Sequence, residues 1–172
     1  MGAIVPIKTL QRELTRVQTQ FTELLKTSSI DASWYVNLAL AYCEKNPKVL
    51  QCSLPSIINS LKQAASCQLP IDTIQGLAHL VPYWDRKNRQ FICTFQPGYK
   101  GLVVLAQRSG RIKHIYAGVV YEGDELDVGI RDGRKYFNLI PRESSKQIIK
   151  GYAVAIFSDA DYFYDYVVID MD

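Results

Sequence analysis

The spacing of apolar residues changes near residue 70, and this change is the strongest constraint on the fold. In "TLQRELTRVQTQFTELLK" the apolar side chains follow the 3.6-residue period of one amphipathic helix, at Leu10, Leu14, Val17, Phe21, Leu24 and Leu25. From Ala78 onward, apolar residues occur in short runs bounded by turn-forming residues, which is typical of strands joined by hairpins. Helices followed by hairpins predict an α+β fold with an antiparallel sheet.

Two more helices are expected in the N-terminal third. One is capped by Ser29 or Asp31 and ends at Asn46, because Pro47 stops it. The other follows a cap at Ser53 and has an apolar face made of Ile57, Ile58, Leu61 and Ala65. We therefore expect a helical part over 1–70 and a β-rich part over 78–172, together forming a single domain.

The β-rich part is expected to contain three hairpins and a central helix. "AHLVPYW" and "RQFICTF" flank the polar turn "DRKN", Asp132-Gly133 supplies a second turn, and Ser158-Asp159 supplies a third. The central helix runs from Tyr99 to Ser109 and ends at Gly110 as its C′ residue. Its side chains available for the core are Leu102, Val103, Leu105 and Ala106.

Several classes of protein are disfavoured by the sequence. No apolar run approaches the roughly 20 residues of a membrane-spanning helix, and the N-terminus lacks a secretory signal, so a cytoplasmic protein is expected. Phosphate-binding glycine motifs are missing, which disfavours ATP-driven chemistry. The four cysteines are too widely spaced for a typical zinc site. We expect them to be buried reduced thiols, with no metal and no cofactor; they are Cys43, Cys52, Cys67 and Cys93.

Charge is distributed unevenly along the chain. The formal net charge is +3. Residues 80–121 contain seven Lys and Arg residues and one acid, whereas residues 122–172 contain six bases and eleven acids. This asymmetry suggests that the middle of the chain has an anionic partner.

The densest basic cluster lies in "YKGLVVLAQRSGRIKHI". Cations at a helix C-terminus complement the helix dipole, which explains Arg108. It does not explain Arg111 and Lys113, which follow the glycine and would share one face of a strand. These side chains, with Lys100 and His114, form a candidate phosphate-binding surface, and composition alone leaves both explanations open.

The first predicted hairpin combines aromatic and basic residues, the usual composition of single-strand nucleic-acid surfaces. Alternate aromatics in a strand are equally expected in a core, so Trp84 and Tyr99 are the better candidates for an exposed role. The set consists of Tyr83, Trp84, Arg86, Lys87, Arg89, Phe91, Phe95 and Tyr99.

Two alternatives from other functional classes remain. A metal-dependent nuclease or nucleotidyl transferase could use the late aspartates, which are Asp159, Asp161, Asp165, Asp170 and Asp172. A structural adaptor could use the basic cluster to bind an acidic protein. The acidic segment "YEGDELDV" is either a surface for a neighbouring subunit's bases or a solvated hairpin edge.

In order along the chain, "NPKVLQCSLPSIINSLKQAASCQLPID", "GLAHLVPY", "CTFQPGYKGLVVLAQRSGRIKHIYAGVVYEGDELDV" and "KGYAVAIF" resemble the RecT branch of the RecT/Red-beta phage single-strand annealing proteins. The resemblance covers roughly residues 30–170. One departure is "PYWDRKNRQF", a longer and more basic hairpin than this family leads us to expect.

This resemblance implies an ATP-independent DNA-binding protein of recombination and repair, not an enzyme. It would coat single-stranded DNA made by a partner exonuclease and anneal it as a ring or helical filament, in a bacterial host and from a phage or prophage gene. It also implies contact with a host single-strand-binding protein through a C-terminal region expected to be absent here. The implied DNA-binding residues are Gln96, Tyr99, Lys100, Arg108, Arg111 and Lys113, and secondarily Lys87, Arg89, Arg134 and Lys135. His114 is added as a DNA-binding candidate because it lies in the basic cluster.

Overall fold

The structure is a computed structural model of the chain, and it describes residues 4–71, 74–142, 146–158 and 164–171. The fold is α+β with antiparallel sheets, as the sequence predicts. The chain divides into two compact units, Met1–Leu102 and Val103–Asp172. The organisation as one functional domain stays a prediction.

The N-terminal segment forms two helices, and the prediction of one continuous helix is wrong. Helix α1 spans Ile7–Arg16 and helix α2 spans Gln18–Leu25. Val17 joins them with φ −102° and ψ 12°, which is outside the α-helical range. The apolar period nevertheless continues through this joint, because both helices bury residues on the predicted face, namely Leu10, Leu14, Phe21 and Leu25.

Helices α3 (Ala32–Lys45) and α4 (Leu54–Ser66) complete the helical part, separated by a short 3₁₀ turn. Of the two predicted caps for α3, Asp31 is the one used, since its side chain accepts a hydrogen bond from the Trp34 N–H. Ser53 precedes α4 as expected, although its side chain makes no capping bond. Most of the predicted face of α4 is buried, whereas Ile58 is only half-buried.

The first predicted hairpin is confirmed. Strand β1 (Ala78–Asp85) pairs antiparallel with β2 (Gln90–Pro97). One face of this hairpin packs on α4, where the Ser60 hydroxyl donates to the Cys93 carbonyl at 2.9 Å and the Cys93 N–H donates to the Ser56 hydroxyl at 2.9 Å. These bonds satisfy the buried polar groups between helix and strand. The other face of the hairpin is consequently turned away from α4.

Three of the four cysteines are buried free thiols, and Cys67 is half-buried. Burial is the main cause that raises the pKa of Cys43 to about 12 and that of Cys93 to about 12. Burial also raises the pKa of Cys52. The buried thiols are therefore protonated at neutral pH and act as small apolar core groups.

Alkylation should distinguish these cysteines. Because the thiolate is the reacting species, iodoacetamide at pH 8 should label Cys67 more than about tenfold faster than the three buried cysteines. Mass spectrometry of digested samples over time measures the rates. In urea the difference should disappear, and equal labelling of Cys43 and Cys67 in the folded protein would contradict the assigned burial.

The central helix, α5, spans Tyr99–Arg108, and Gly110 follows it with φ +74°, as predicted for a C′ glycine. The expected core role of its apolar residues is only partly met. Leu102 is 54% exposed, and the next four side chains are half-buried. Only Gly101 of this helix is buried.

The second unit contains the other five strands. They are β3 (Ile112–Tyr121), β4 (Glu125–Arg131), β5 (Arg134–Ile140), β6 (Ile148–Phe157) and β7 (Tyr164–Asp170). The second predicted hairpin, β4–β5, is formed. The strands of the third, β6 and β7, pair as predicted, and Asp159 of its predicted turn lies outside the described residues. The strands do not join in one sheet, because β3, β6 and β7 form a three-stranded sheet while β4 and β5 form a separate ribbon.

The β4–β5 ribbon packs on one face of the three-stranded sheet. Phe137 contacts Tyr152 and Tyr166, with ring centroids 5.0 and 5.7 Å apart. The Tyr164 hydroxyl accepts a hydrogen bond from the Phe137 N–H at 2.8 Å.

Among the described residues, no helix combines the length and apolar character needed to cross a membrane.

Candidate nucleic-acid interface

The outer face of the β1–β2 hairpin presents polar and aromatic side chains. The strand register places Tyr83 on the same face as Gln96, opposite to the face that packs on α4. The Gln96 side-chain amide donates to the Tyr83 hydroxyl at 2.7 Å, which holds the half-exposed ring. Trp84, on the other face, contacts Phe91 edge-on at 5.0 Å and remains half-exposed. Both aromatics therefore retain surface on which a base could stack.

The tip of the β1–β2 hairpin exposes three basic side chains, and the carboxylate of its one acidic residue is hydrogen-bonded within the turn. The Asp85 carboxylate accepts hydrogen bonds from the Lys87 N–H at 2.9 Å and the Asn88 side chain at 2.7 Å. These bonds, led by the one from the Asn88 side chain, lower the pKa of Asp85. Arg86, Lys87 and Arg89 are exposed. The tip therefore has a net positive charge.

The first turn of α5 places an aromatic ring beside a cation. Tyr99 is 75% exposed, and the Lys100 Nζ lies 5.9 Å from its ring centroid. The turn contains no acid, so the positive end of the helix dipole adds to the Lys100 charge. Stacking on Tyr99 and phosphate contact by Lys100 are thus available side by side.

Two glycines allow this turn to approach the segment before β1. A Cβ added at Gly98 would lie 2.1 Å from the Gly76 carbonyl oxygen, and one at Gly101 would lie 2.0 Å from the Leu77 carbonyl oxygen. Real Cβ atoms do not come this close to backbone oxygen. Close backbone packing thus requires the two glycines of "FQPGYKGL", and this packing positions Tyr99 and Lys100. The sequence has no phosphate-loop motif at these glycines and did not indicate their packing role.

The bases after α5 are exposed, but the predicted strand geometry needs correction. The Ser109 hydroxyl accepts a hydrogen bond from the Arg111 N–H at 3.2 Å, which helps turn the chain after the helix. The β3–β6 register shifts between Ile112 and His114, so Lys113 lies at a bulge. A bulge interrupts side-chain alternation, so the prediction that Arg111 and Lys113 share one face of a strand is wrong. Both, like His114 and Arg108, are exposed.

The two bases predicted at the second hairpin lie on opposite faces of the β4–β5 ribbon, as successive strand residues do. Lys135 forms an ion pair with Asp165 of β7. Its Nζ also lies 5.7 Å from the Tyr166 ring centroid, so this side chain is engaged within the second unit. Arg134 is exposed on the other face, directly across from Arg131. Arg131 was missed by the sequence analysis, although an Asp-Gly hairpin turn pairs the residues that flank it.

The described late aspartates form ion pairs with lysines. Asp165 bonds to Lys135, which is the main cause that lowers its pKa, and Asp170 bonds to Lys150. Asp159, Asp161 and Asp172 lie outside the described residues. Within the ranges that the structure does describe, no three His, Cys, Asp or Glu side chains converge to hold a metal ion. The metal-dependent alternative gains no support from this arrangement.

The acidic segment after β3 is engaged within the second unit. Asp124 accepts hydrogen bonds from the Tyr121 and Arg142 N–H groups, both at 2.9 Å. Glu125 pairs with the Arg142 guanidinium at 2.6 Å, and Asp127 accepts from the Tyr136 hydroxyl at 2.9 Å. These contacts favour a structural role for the segment over a surface for a neighbouring subunit.

The candidate DNA-binding residues are divided between the two units. The first unit contains Lys87, Arg89, Gln96, Tyr99 and Lys100, and the second contains Arg108, Arg111, Lys113, His114, Arg134 and Lys135. Their role in binding stays a prediction.

Comparison with known proteins identifies the family. A family model described as "RecT family" matches residues 33–171. The chain is 28% identical over 130 residues to Protein RecT of Escherichia coli K12, covering 72% of this chain and 47% of that protein. It is 41% identical over 69 residues to Uncharacterized protein YqaK of Bacillus subtilis 168, covering 40% of this chain and 22% of that protein. The chain thus spans less than half the length of these relatives. Because the family model covers most of the chain, this protein belongs to the RecT family.

Proposed function

We propose that this chain binds single-stranded DNA and anneals it to a complementary strand without ATP. The observation that carries the proposal is the match to the RecT family model over residues 33–171. This range includes all the exposed basic and aromatic side chains of the candidate nucleic-acid interface. Lysine and arginine contacts to phosphates lower the repulsion between two DNA strands. Base pairing then supplies the free energy of annealing, so no nucleotide hydrolysis is required.

The contacts fit a surface that holds the DNA backbone. Tyr99 and Lys100 provide a stacking platform and a cation on one helical turn. The tip of the β1–β2 hairpin adds three exposed basic side chains. Backbone contacts leave the edges of the bases free to test a second strand. Binding should consequently depend strongly on salt and weakly on sequence.

The wider biological setting is also part of the proposal. The protein would act in DNA recombination and repair in the cytoplasm of a bacterial host, encoded by a phage or prophage. Copies of the chain would assemble along the DNA as a ring or helical filament. A partner exonuclease would supply the single strand, and a host single-strand-binding protein would be a second partner.

An annealing assay without nucleotide tests the proposal. Two complementary fluorescent oligonucleotides should form duplex at least about tenfold faster with the protein than without it, with the gain falling as salt rises. Non-complementary oligonucleotides are the control for simple co-aggregation. Equal rates with and without the protein at low salt would refute the proposal. A parallel incubation with Mg²⁺ that yields cleaved DNA would support a nuclease instead.

A further inference from the structure

The tip of the β4–β5 ribbon holds two arginines in a fixed pair. Arg131 and Arg134 are directly opposed in the strand register. The two residues between them, Asp132 and Gly133, have φ of +51° and +74°. Two consecutive positive φ values are typical of the tight type I′ turn, whose twist matches that of the strands. The turn therefore fixes the separation of the two arginine backbones.

One of these arginines is held by stacking. The Arg131 guanidinium lies 4.9 Å from the Tyr136 ring centroid. The Tyr136 hydroxyl donates to Asp127 at 2.9 Å, and the ring covers Gly129, where a Cβ would lie 3.1 Å from it. A cation ordered in this way loses little side-chain entropy when it binds an anion.

The pair is electrostatically unfavourable by itself. Like charges directly across an antiparallel pair destabilise it, and neither arginine forms an ion pair with an acid in the part of the chain that the structure describes. The turn residue Asp132 is the one acid between them in sequence. An anion bound by both guanidinium groups would remove the repulsion, and the guanidinium fork suits the oxygens of a phosphodiester.

We propose that Arg131 and Arg134 form a phosphate clamp for the DNA backbone on the outward face of the β4–β5 ribbon. This inference rests on the proposed single-stranded DNA binding and assigns to it a pair of contacts, of which the sequence indicated Arg134 but not Arg131. Lys135, on the inward face and paired with Asp165, is outside the clamp.

Salt dependence of binding to oligo-dT tests the clamp, because each phosphate contact to a single strand contributes about 0.7 to the slope of log K against log salt. The double variant Arg131→Gln/Arg134→Gln should reduce that slope by about 1.4 and weaken binding about 10- to 30-fold at 0.1 M salt. Arg131→Lys/Arg134→Lys should restore the slope, because the charge is retained. The charge-matched control Lys45→Gln/Lys48→Gln, near the end of α3, should leave the slope within error of the unmodified protein.

The outcomes separate this inference from the proposed function. If the unmodified protein binds oligo-dT with a salt-dependent slope and a folded Gln double variant keeps that slope, the clamp is refuted and DNA binding stands. An equal loss in Lys45→Gln/Lys48→Gln would mean that net charge governs the slope, and would refute the clamp. If the unmodified protein shows no salt-dependent binding, the proposed function itself fails. Thermal unfolding of each variant verifies that it is folded.

Discussion

Replacing Gly101 with alanine should lower the free energy of unfolding of the first unit by about 3 kcal/mol or more, at the upper end of overpacking effects. The added Cβ would lie 2.0 Å from the Leu77 carbonyl oxygen and 3.2 Å from the Leu69 Cδ1. Alanine favours a helix over glycine by about 1 kcal/mol, but this gain is smaller than the cost of separating two backbone segments. The clash therefore determines the sign of the effect.

The measurement is urea unfolding, and the strand glycine Gly151 of the second unit provides a control position without a close contact. A Cβ at Gly151 would meet nothing closer than the Met171 Sδ at 3.9 Å. Gly151→Ala should consequently change stability by less than about 0.5 kcal/mol, as for most surface substitutions. If Gly101→Ala is as stable as Gly151→Ala, the close approach of α5 to the segment before β1 is wrong.

Removing three exposed basic side chains around α5 should weaken single-stranded DNA binding about 100-fold at 0.1 M salt, if each side chain contributes one phosphate contact. The variant is Lys100→Gln/Arg111→Gln/Lys113→Gln, whose side chains are all exposed. The slope of log K against log salt should fall by about 2. Fluorescence anisotropy with oligonucleotides of different sequence measures both values, and the loss should be the same for each sequence because phosphates are common to all.

A charge-matched control separates local contacts from the general effect of net charge. Lys8, Lys45 and Lys48 are also exposed, on α1 and near the end of α3. Changing these three to glutamine removes the same formal charge and should reduce affinity far less. Equal losses in the two triple variants would mean that net charge, not the α5 region, governs binding.

The sequence predicted the elements of the fold well because each has a local physical cause. Asp31 at the start of α3 and Gly110 after α5 were predicted from the chemistry of helix ends, and both are confirmed. The break at Val17 was missed because the apolar face continues across it, so the period alone reveals no interruption. The burial of side chains on α5 was overestimated, because the spacing of apolar residues indicates which side chains can be buried but not how many of them are buried.

The surface was harder to predict, because its chemistry depends on partners distant in sequence. Lys135 and Arg134 are neighbours in the chain, yet Lys135 pairs with Asp165 on another strand. The bulge at Lys113 depends on the register with β6 and has no local signature. Arg131 lies in a segment whose net charge is negative, so a search for basic clusters by composition did not include it.

The insertion of the β4–β5 ribbon between β3 and β6 also affects how the second unit folds. Strands β3 and β6 pair across the sequence segment 122–147, and closing so long a loop is entropically costly. The ribbon pairs Glu125 with Ile140 through a two-residue turn, so its ends meet early and locally. With the ribbon formed, residues Glu125–Ile140 no longer count toward the length of chain that must be closed, which lowers the closure cost by a little under about 1 kcal/mol. Early formation of the β4–β5 hairpin should thus speed the pairing of β3 with β6, which belong to the sheet on which the hairpin packs.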